Sequence, residues 1–154
     1  MEFIIFLSKL DLEIIELIRK ANYSIEENSA LCLIDKKYMG FHKKNDRTIV
    51  ICTENAKKIS NFRKNNISKN NDNHKLKLFI RRALRHEATH MVQSCNNNNP
   101  IKIIKGIKSR FNKRKEKALK SSLGISGDLQ RELEAYILED KPRIVKKALE
   151  KYCL

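Results

Sequence analysis

Leu10, Ile14, Ile15, Leu17, Ile18 and Ala21 recur at helical spacing with acidic residues between them, which predicts an amphipathic helix from about Ser8 to Ala21. Asn22 to Ser29 is polar and reads as a loop. Three short segments then read as strands: Ala30 to Asp35, Tyr38 to His42, and Arg47 to Cys52, the last β-branched and apolar. Turn chemistry at Lys43-Lys44-Asn45-Asp46 makes a small antiparallel meander the expected arrangement. Asn61 to His74 is rich in Asn, Lys and Ser and predicts an exposed loop.

Leu76, Phe79, Ile80, Ala83, Leu84 and Met91 mark a second helix from about Lys75 to Ser94, ended by Asn96 to Pro100. Ile101 to Lys120 mixes Ile with many Lys and Arg, the pattern of a basic amphipathic helix or an irregular flap. Asp128 is placed to cap a helix reaching about Glu139, and Pro142 fits the first turn of a last helix ending near Tyr152. The 154 residues suit one α+β domain spanning 1–154, with a basic insertion at about 101–122.

The formal charge of +15 favours an acidic partner: nucleic acid, an anionic surface or an acidic peptide. No run approaches a membrane-spanning length. The apolar run Phe3 to Leu7 is too short for a secretion signal and has no basic residues before it. Cys32, Cys52, Cys95 and Cys153 form no C-x-x-C pair. The expectation is a cytoplasmic protein with reduced thiols.

The chemistry concentrates in His86-Glu87-Ala88-Thr89-His90. On a helix, histidines four apart share one face, so both imidazoles can reach one metal ion. Zinc is the cofactor this motif implies, and Glu87 is the general base that takes a proton from the activated water. A third protein ligand must come from elsewhere. His42 and His74 are available, but Arg131-Glu132-Leu133-Glu134-Ala135-Tyr136 lies on a predicted helix and offers two carboxylates. Glu132 and Glu134 point about 200° apart, so only one can face the metal. Ala135 shares a face with Glu132 and permits close helix approach, where Glu134 has Ile137 in the same relation. The helical wheel puts Glu132 at the edge of the buried stripe and Glu134 farther toward solvent. Glu132 is therefore the expected ligand and Glu134 the alternative. Tyr136 and His42 are candidates for stabilising a transition state.

At these residues the chain resembles the zincin metallopeptidases of the gluzincin type. Within them it is similar to the mitochondrial inner-membrane peptidase family that processes and helps assemble an ATP synthase subunit. The similarity rests on a strand ending in Cys52 with Asn55 following, the H-E-x-x-H helix, Cys95 five residues after His90, the Glu132 to Ala135 step, and a C-terminal stretch ending near Cys153. It covers roughly the last two-thirds of the chain. Gln93 stands where that family has Asp, and Tyr136 where many gluzincins carry an Asp that orients a zinc histidine. The resemblance implies His86, His90 and Glu132 as zinc ligands, Glu87 as base, a minimal zincin-like fold, and hydrolysis of a protein or peptide substrate. If the Arg47 to Cys52 strand is an edge strand bordering the cleft, it would receive that substrate by main-chain pairing. The rival reading, from the +15 charge and the Lys102 to Lys120 run, is a nucleic-acid-binding protein. A third is a non-catalytic assembly or chaperone factor that retains the fold.

Overall fold

Around one long helix the rest of the molecule is arranged. The computed structural model describes residues 1–60, 70–101 and 113–154. In order they form a 3-10 helix (Glu2–Phe6), α1 (Lys9–Lys20), β1 (Ser24–Glu27), a 3-10 helix (Ala30–Leu33), β2 (Gly40–Lys43), β3 (Thr48–Ile51), α2 (Thr53–Ile59), α3 (Asn70–Cys95), α4 (Lys113–Ser126), α5 (Leu129–Leu138) and α6 (Pro142–Tyr152). The architecture is mixed α+β, mostly helical, with one three-stranded sheet among the described residues. No described helix is long and apolar enough to cross a membrane.

On α3, Leu76, Ile80, Leu84 and Met91 are fully buried and share a core with Ile14 and Ile18 of α1, Ile49 and Ile51 of β3, and Val145, Ala148 and Leu149 of α6. The helix start predicted at Ser8 carries a capping box. The Ser8 hydroxyl accepts from the Asp11 N–H, and the Asp11 carboxylate accepts from the Ser8 N–H at 2.9 Å. The same buried carboxylate accepts from Arg85 Nε at 2.7 Å, and Arg85 Nη1 donates to the Glu139 carbonyl at 3.2 Å. Arg85 thus ties α3 to α1 and to the end of α5, one residue before His86.

The sheet differs from the expected antiparallel meander. Its order is β1-β3-β2, with β1 parallel to β3 (Ser24 opposite Thr48) and β2 antiparallel to β3 (Gly40 opposite Ile51). β1 lies in the stretch read as a loop, because its four residues hold one apolar side chain, Ile25. Its backbone pairing and Glu27 carry it instead: the Glu27 carboxylate accepts from Phe3 N–H at 3.0 Å and from the Thr53 hydroxyl at 2.7 Å.

Ala30 to Asp35, expected as a strand, begins as a 3-10 turn. Its apolar run is not core, since Leu33 is 82 % and Ile34 70 % exposed. The Asn55 amide donates to the carbonyls of Cys32 and Tyr38, both at 2.9 Å, so a side chain rather than a neighbouring strand satisfies this backbone. Two further expectations change. The four cysteines are not free: Cys32 bonds to Cys52 and Cys95 to Cys153. And α3 begins at Asn70, inside the predicted loop. The rest of that loop, and residues 102–112 of the basic stretch, lie outside the described residues; from Lys113 that stretch is helix α4.

Candidate metal centre

His86 and His90 stand one turn apart on α3, with their Nε2 atoms 3.1 Å from each other. From α5 the Glu132 carboxylate meets both, Oε1 at 3.2 Å from His90 Nε2 and Oε2 at 3.5 Å from His86 Nε2. These ligand-type atoms all lie within 4.8 Å of one another, and the set could hold a metal ion. Ala135 is fully buried, as a close approach of α5 to α3 requires. Glu132 Oε2 is buried with no hydrogen-bond partner in the protein.

Glu134 does not face this cluster. It is not turned toward solvent either, as the helical wheel had placed it; it is fully buried. Its Oε2 accepts from Gln93 Nε2 and from the Ile101 N–H, both at 2.8 Å. A wheel drawn for one helix cannot anticipate that Gln93 and the Ile101 backbone meet this face. His74 is exposed on the first part of α3 and takes no part in the cluster.

Each histidine has a different support. His90 Nδ1 lies 2.8 Å from Gln93 Oε1. His86 Nδ1 lies 3.8 Å from Glu139 Oε2, and Glu139 is itself held by Lys115 Nζ at 2.9 Å and Arg82 Nε at 3.6 Å. Burial alone would lower the His86 pKa, but its contacts with Glu132 and Glu139, helped by the charge of Glu87, outweigh that and raise it to about 10. Burial would likewise raise Glu132, yet its contacts with His86 and His90 hold it well below the ordinary carboxylate range. The Glu87 pKa is raised by burial, against the opposing charges of His86 and His90.

Tyr136 packs its ring edge-on to His86, with centroids 4.5 Å apart, and its hydroxyl lies 2.8 Å from Ser122 Oγ on α4. Burial pushes its phenol pKa up, so it keeps its proton. His42 on β2 stacks on Tyr23 at 5.7 Å, and its Nε2 is buried without a hydrogen-bond partner. Burial, then the charges of His90 and Arg131, lowers its pKa to about 4, so the ring is neutral at neutral pH.

Two adjoining cavities open on the cluster. One, of about 220 Å³, is lined by His42, His86, Glu87, His90, Arg131 and Glu132. The other, of about 350 Å³, runs past Met39, Phe79, Ala83, Ala118 and Tyr136. The strand beside them is β2, an edge of the sheet, whereas the Arg47 to Cys52 segment forms the central strand and has no free edge. Gly40 of β2 is needed there. A Cβ on it would stand 2.9 Å from Glu87 Cγ and 2.9 Å from the Val50 carbonyl oxygen. Gly40, Gln93 and Glu139 went unrecognised as parts of the site. Gln93 was visible one turn after His90, but Gly40 and Glu139 are joined to the site by tertiary contacts alone.

The fold and the cluster together define a mixed α+β protein with a two-histidine, one-glutamate site beside an edge strand. The chain belongs to the family described as Domain of unknown function (DUF8637), whose model matches residues 3–154. No curated protein and no solved structure matches it.

Proposed function

We propose that this protein is a zinc-dependent peptidase with a minimal zincin-like fold of the gluzincin type. The observation that carries the reading is the meeting of His86, His90 and Glu132 with Glu87 alongside. The donor set suits the metal: two imidazole nitrogens and one carboxylate are the protein ligands of a catalytic zinc with room for a further group. The buried Glu132 Oε2, which makes no hydrogen bond and has His86 Nε2 at 3.5 Å, is the kind of atom a cation would satisfy. When bound, zinc supplies the Lewis acidity that brings water within reach of deprotonation near neutral pH.

The chain's own groups account for the remaining work. Glu87 accepts and returns the proton, and its raised pKa makes it a better base than an exposed carboxylate. β2 offers an edge on which an extended peptide can add by main-chain hydrogen bonds, with Gly40 bringing that edge onto Glu87. The 350 Å³ cavity accepts a substrate side chain. Tyr136, still protonated, and the neutral His42 line the two cavities and are the candidates for hydrogen-bonding a carbonyl oxygen. The +15 charge favours an acidic substrate. The two disulfides fit an oxidising compartment better than the reducing cytoplasm expected from the sequence.

The test is hydrolysis of a mixed-sequence peptide library by the zinc-loaded protein. Glu87→Gln should keep the metal and lose about 10²–10⁴-fold in rate. Cleavage that survives both this substitution and chelation, or a protein that takes up no zinc, would overturn the proposal.

A further inference from the structure

Gln93 and Glu134 are buried side by side behind the candidate metal centre, and neither touches the place where a metal would sit. Four contacts surround the Gln93 amide. Oε1 faces His90 Nδ1 at 2.8 Å and Arg131 Nε at 3.4 Å. Nε2 faces Glu134 Oε2 at 2.8 Å and the Arg131 carbonyl at 3.0 Å.

Three of these contacts orient the amide without reference to His90. Arg131 Nε–H can only donate, so the atom before it must be an oxygen. The Arg131 carbonyl can only accept, and Glu134 Oε2 already accepts from the Ile101 N–H, so the atom before them must be a nitrogen. Turning the amide over would set an NH₂ against a guanidinium N–H and an oxygen against two acceptors. With the amide so fixed, His90 Nδ1 always meets an acceptor. A hydrogen on Nδ1 satisfies that acceptor and leaves the lone pair of the neutral ring on Nε2, where His86 Nε2 at 3.1 Å can donate to it. The same His90 nitrogen lies 3.2 Å from Glu132 Oε1.

We propose that Gln93 and Glu134 act as a positioning couple: Glu134, together with Arg131, sets the direction of the Gln93 amide, and the amide holds His90 in the Nδ1–H tautomer with Nε2 aimed at the metal. The inference rests on the zinc-site reading above and adds what sets the ligand up before the metal arrives. It also gives Glu134 a part. The two carboxylates of one helix turn serve one centre, Glu132 from the front and Glu134 through Gln93 from behind. Outer partners of this kind set the affinity of metal-binding histidines.

The test uses the full chain and zinc alone. In the metal-free wild type, long-range proton–nitrogen NMR at a pH where the His90 ring is neutral should show Nδ1–H. A ring in the Nε2–H form would overturn the proposal without recourse to any variant. Gln93→Met removes the acceptor at similar volume, and Glu134→Leu removes one of the three contacts that fix the amide while Arg131 keeps the other two. Gln93→Met should weaken zinc binding by roughly 10–100-fold in chelator competition and give a mixture of His90 tautomers; Glu134→Leu should shift both readouts in the same direction by less. Glu134→Gln, whose side-chain oxygen can still accept from both donors, should stay within about threefold of wild type. Wild-type zinc affinity together with unchanged Nδ1–H in folded Gln93→Met and Glu134→Leu would overturn the couple while leaving the zinc site standing. Absence of zinc binding in the wild type would instead remove the reading on which it rests.

Discussion

Raising the pH should unfasten the metal-free protein through His86. Its folded pKa of about 10 lies above the ordinary 6.5 because two carboxylates sit against a buried ring. A pKa raised by folding means that the charged form prefers the folded state. The resulting stability is fully present below pH 6.5 and is lost as pH rises through 10. At about 1.4 kcal/mol per pH unit, a rise from 6.5 to about 10 is worth on the order of 5 kcal/mol. Most of it, about 3–4 kcal/mol, would disappear between pH 7 and 10. For a domain of this size that lowers Tm by about 7–15 °C. Circular-dichroism melts of the metal-free protein across this range measure the effect. Lysines and tyrosines also titrate near its upper end, so His86→Gln melted in parallel isolates the histidine. The ring proton of His86, followed by NMR, gives the midpoint directly. Equal losses in wild type and His86→Gln, with the His86 ring titrating near 6.5, would refute the reasoning.

Three other expectations bear on separate parts of the structure. Glu132→Ala should weaken zinc binding by more than about 100-fold, beyond the effect typical of an outer partner; near-wild-type affinity in chelator competition would take the carboxylate out of the ligand set. Gly40→Ala drives a methyl group to 2.9 Å from Glu87 Cγ and from a backbone oxygen, so it should cost about 1–3 kcal/mol, read as a fall in Tm with a parallel loss of hydrolysis; an unchanged Tm would show that β2 can lift off α3 freely. Asn55→Ala strips the amide from the carbonyls of Cys32 and Tyr38 and should cost about 1–3 kcal/mol in urea unfolding; a neutral result would mean that the disulfide at Cys32 holds the turn unaided.

The parts of this molecule legible in the sequence are those whose signal is local. His86 and His90 are four apart in a strongly periodic stretch, and such a stretch is a helix wherever it packs. Ser8 and Asp11 announce the start of α1 by direct mutual bonding. Glu132 was separable from Glu134 because the small Ala135 shares its face. What failed to show depended on partners distant in sequence. β1 has one apolar residue and exists through pairing with β3. The Ala30 to Asp35 run has a strand's composition, yet Asn55 and Cys52 hold part of it in a turn. Glu134 looked solvated because nothing on α5 reveals that Gln93 and Ile101 will cover it. Glu139 supports His86 from beyond the end of α5, a relation no spacing within a single helix encodes.

Pairing all four cysteines also removes thiolate from the donors the protein could offer a metal ion. With no free thiol, the chain offers no thiolate to soft ions such as cuprous copper, which seek sulfur ligands. The imidazoles and carboxylate of the cluster select instead among borderline divalent ions. Were Cys95 and Cys153 reduced, a thiol would appear five residues beyond His90 on the same helix, and the chain would regain a soft donor. Should the cluster hold a metal, the disulfides would bear on which ion it takes as well as on the fold around it.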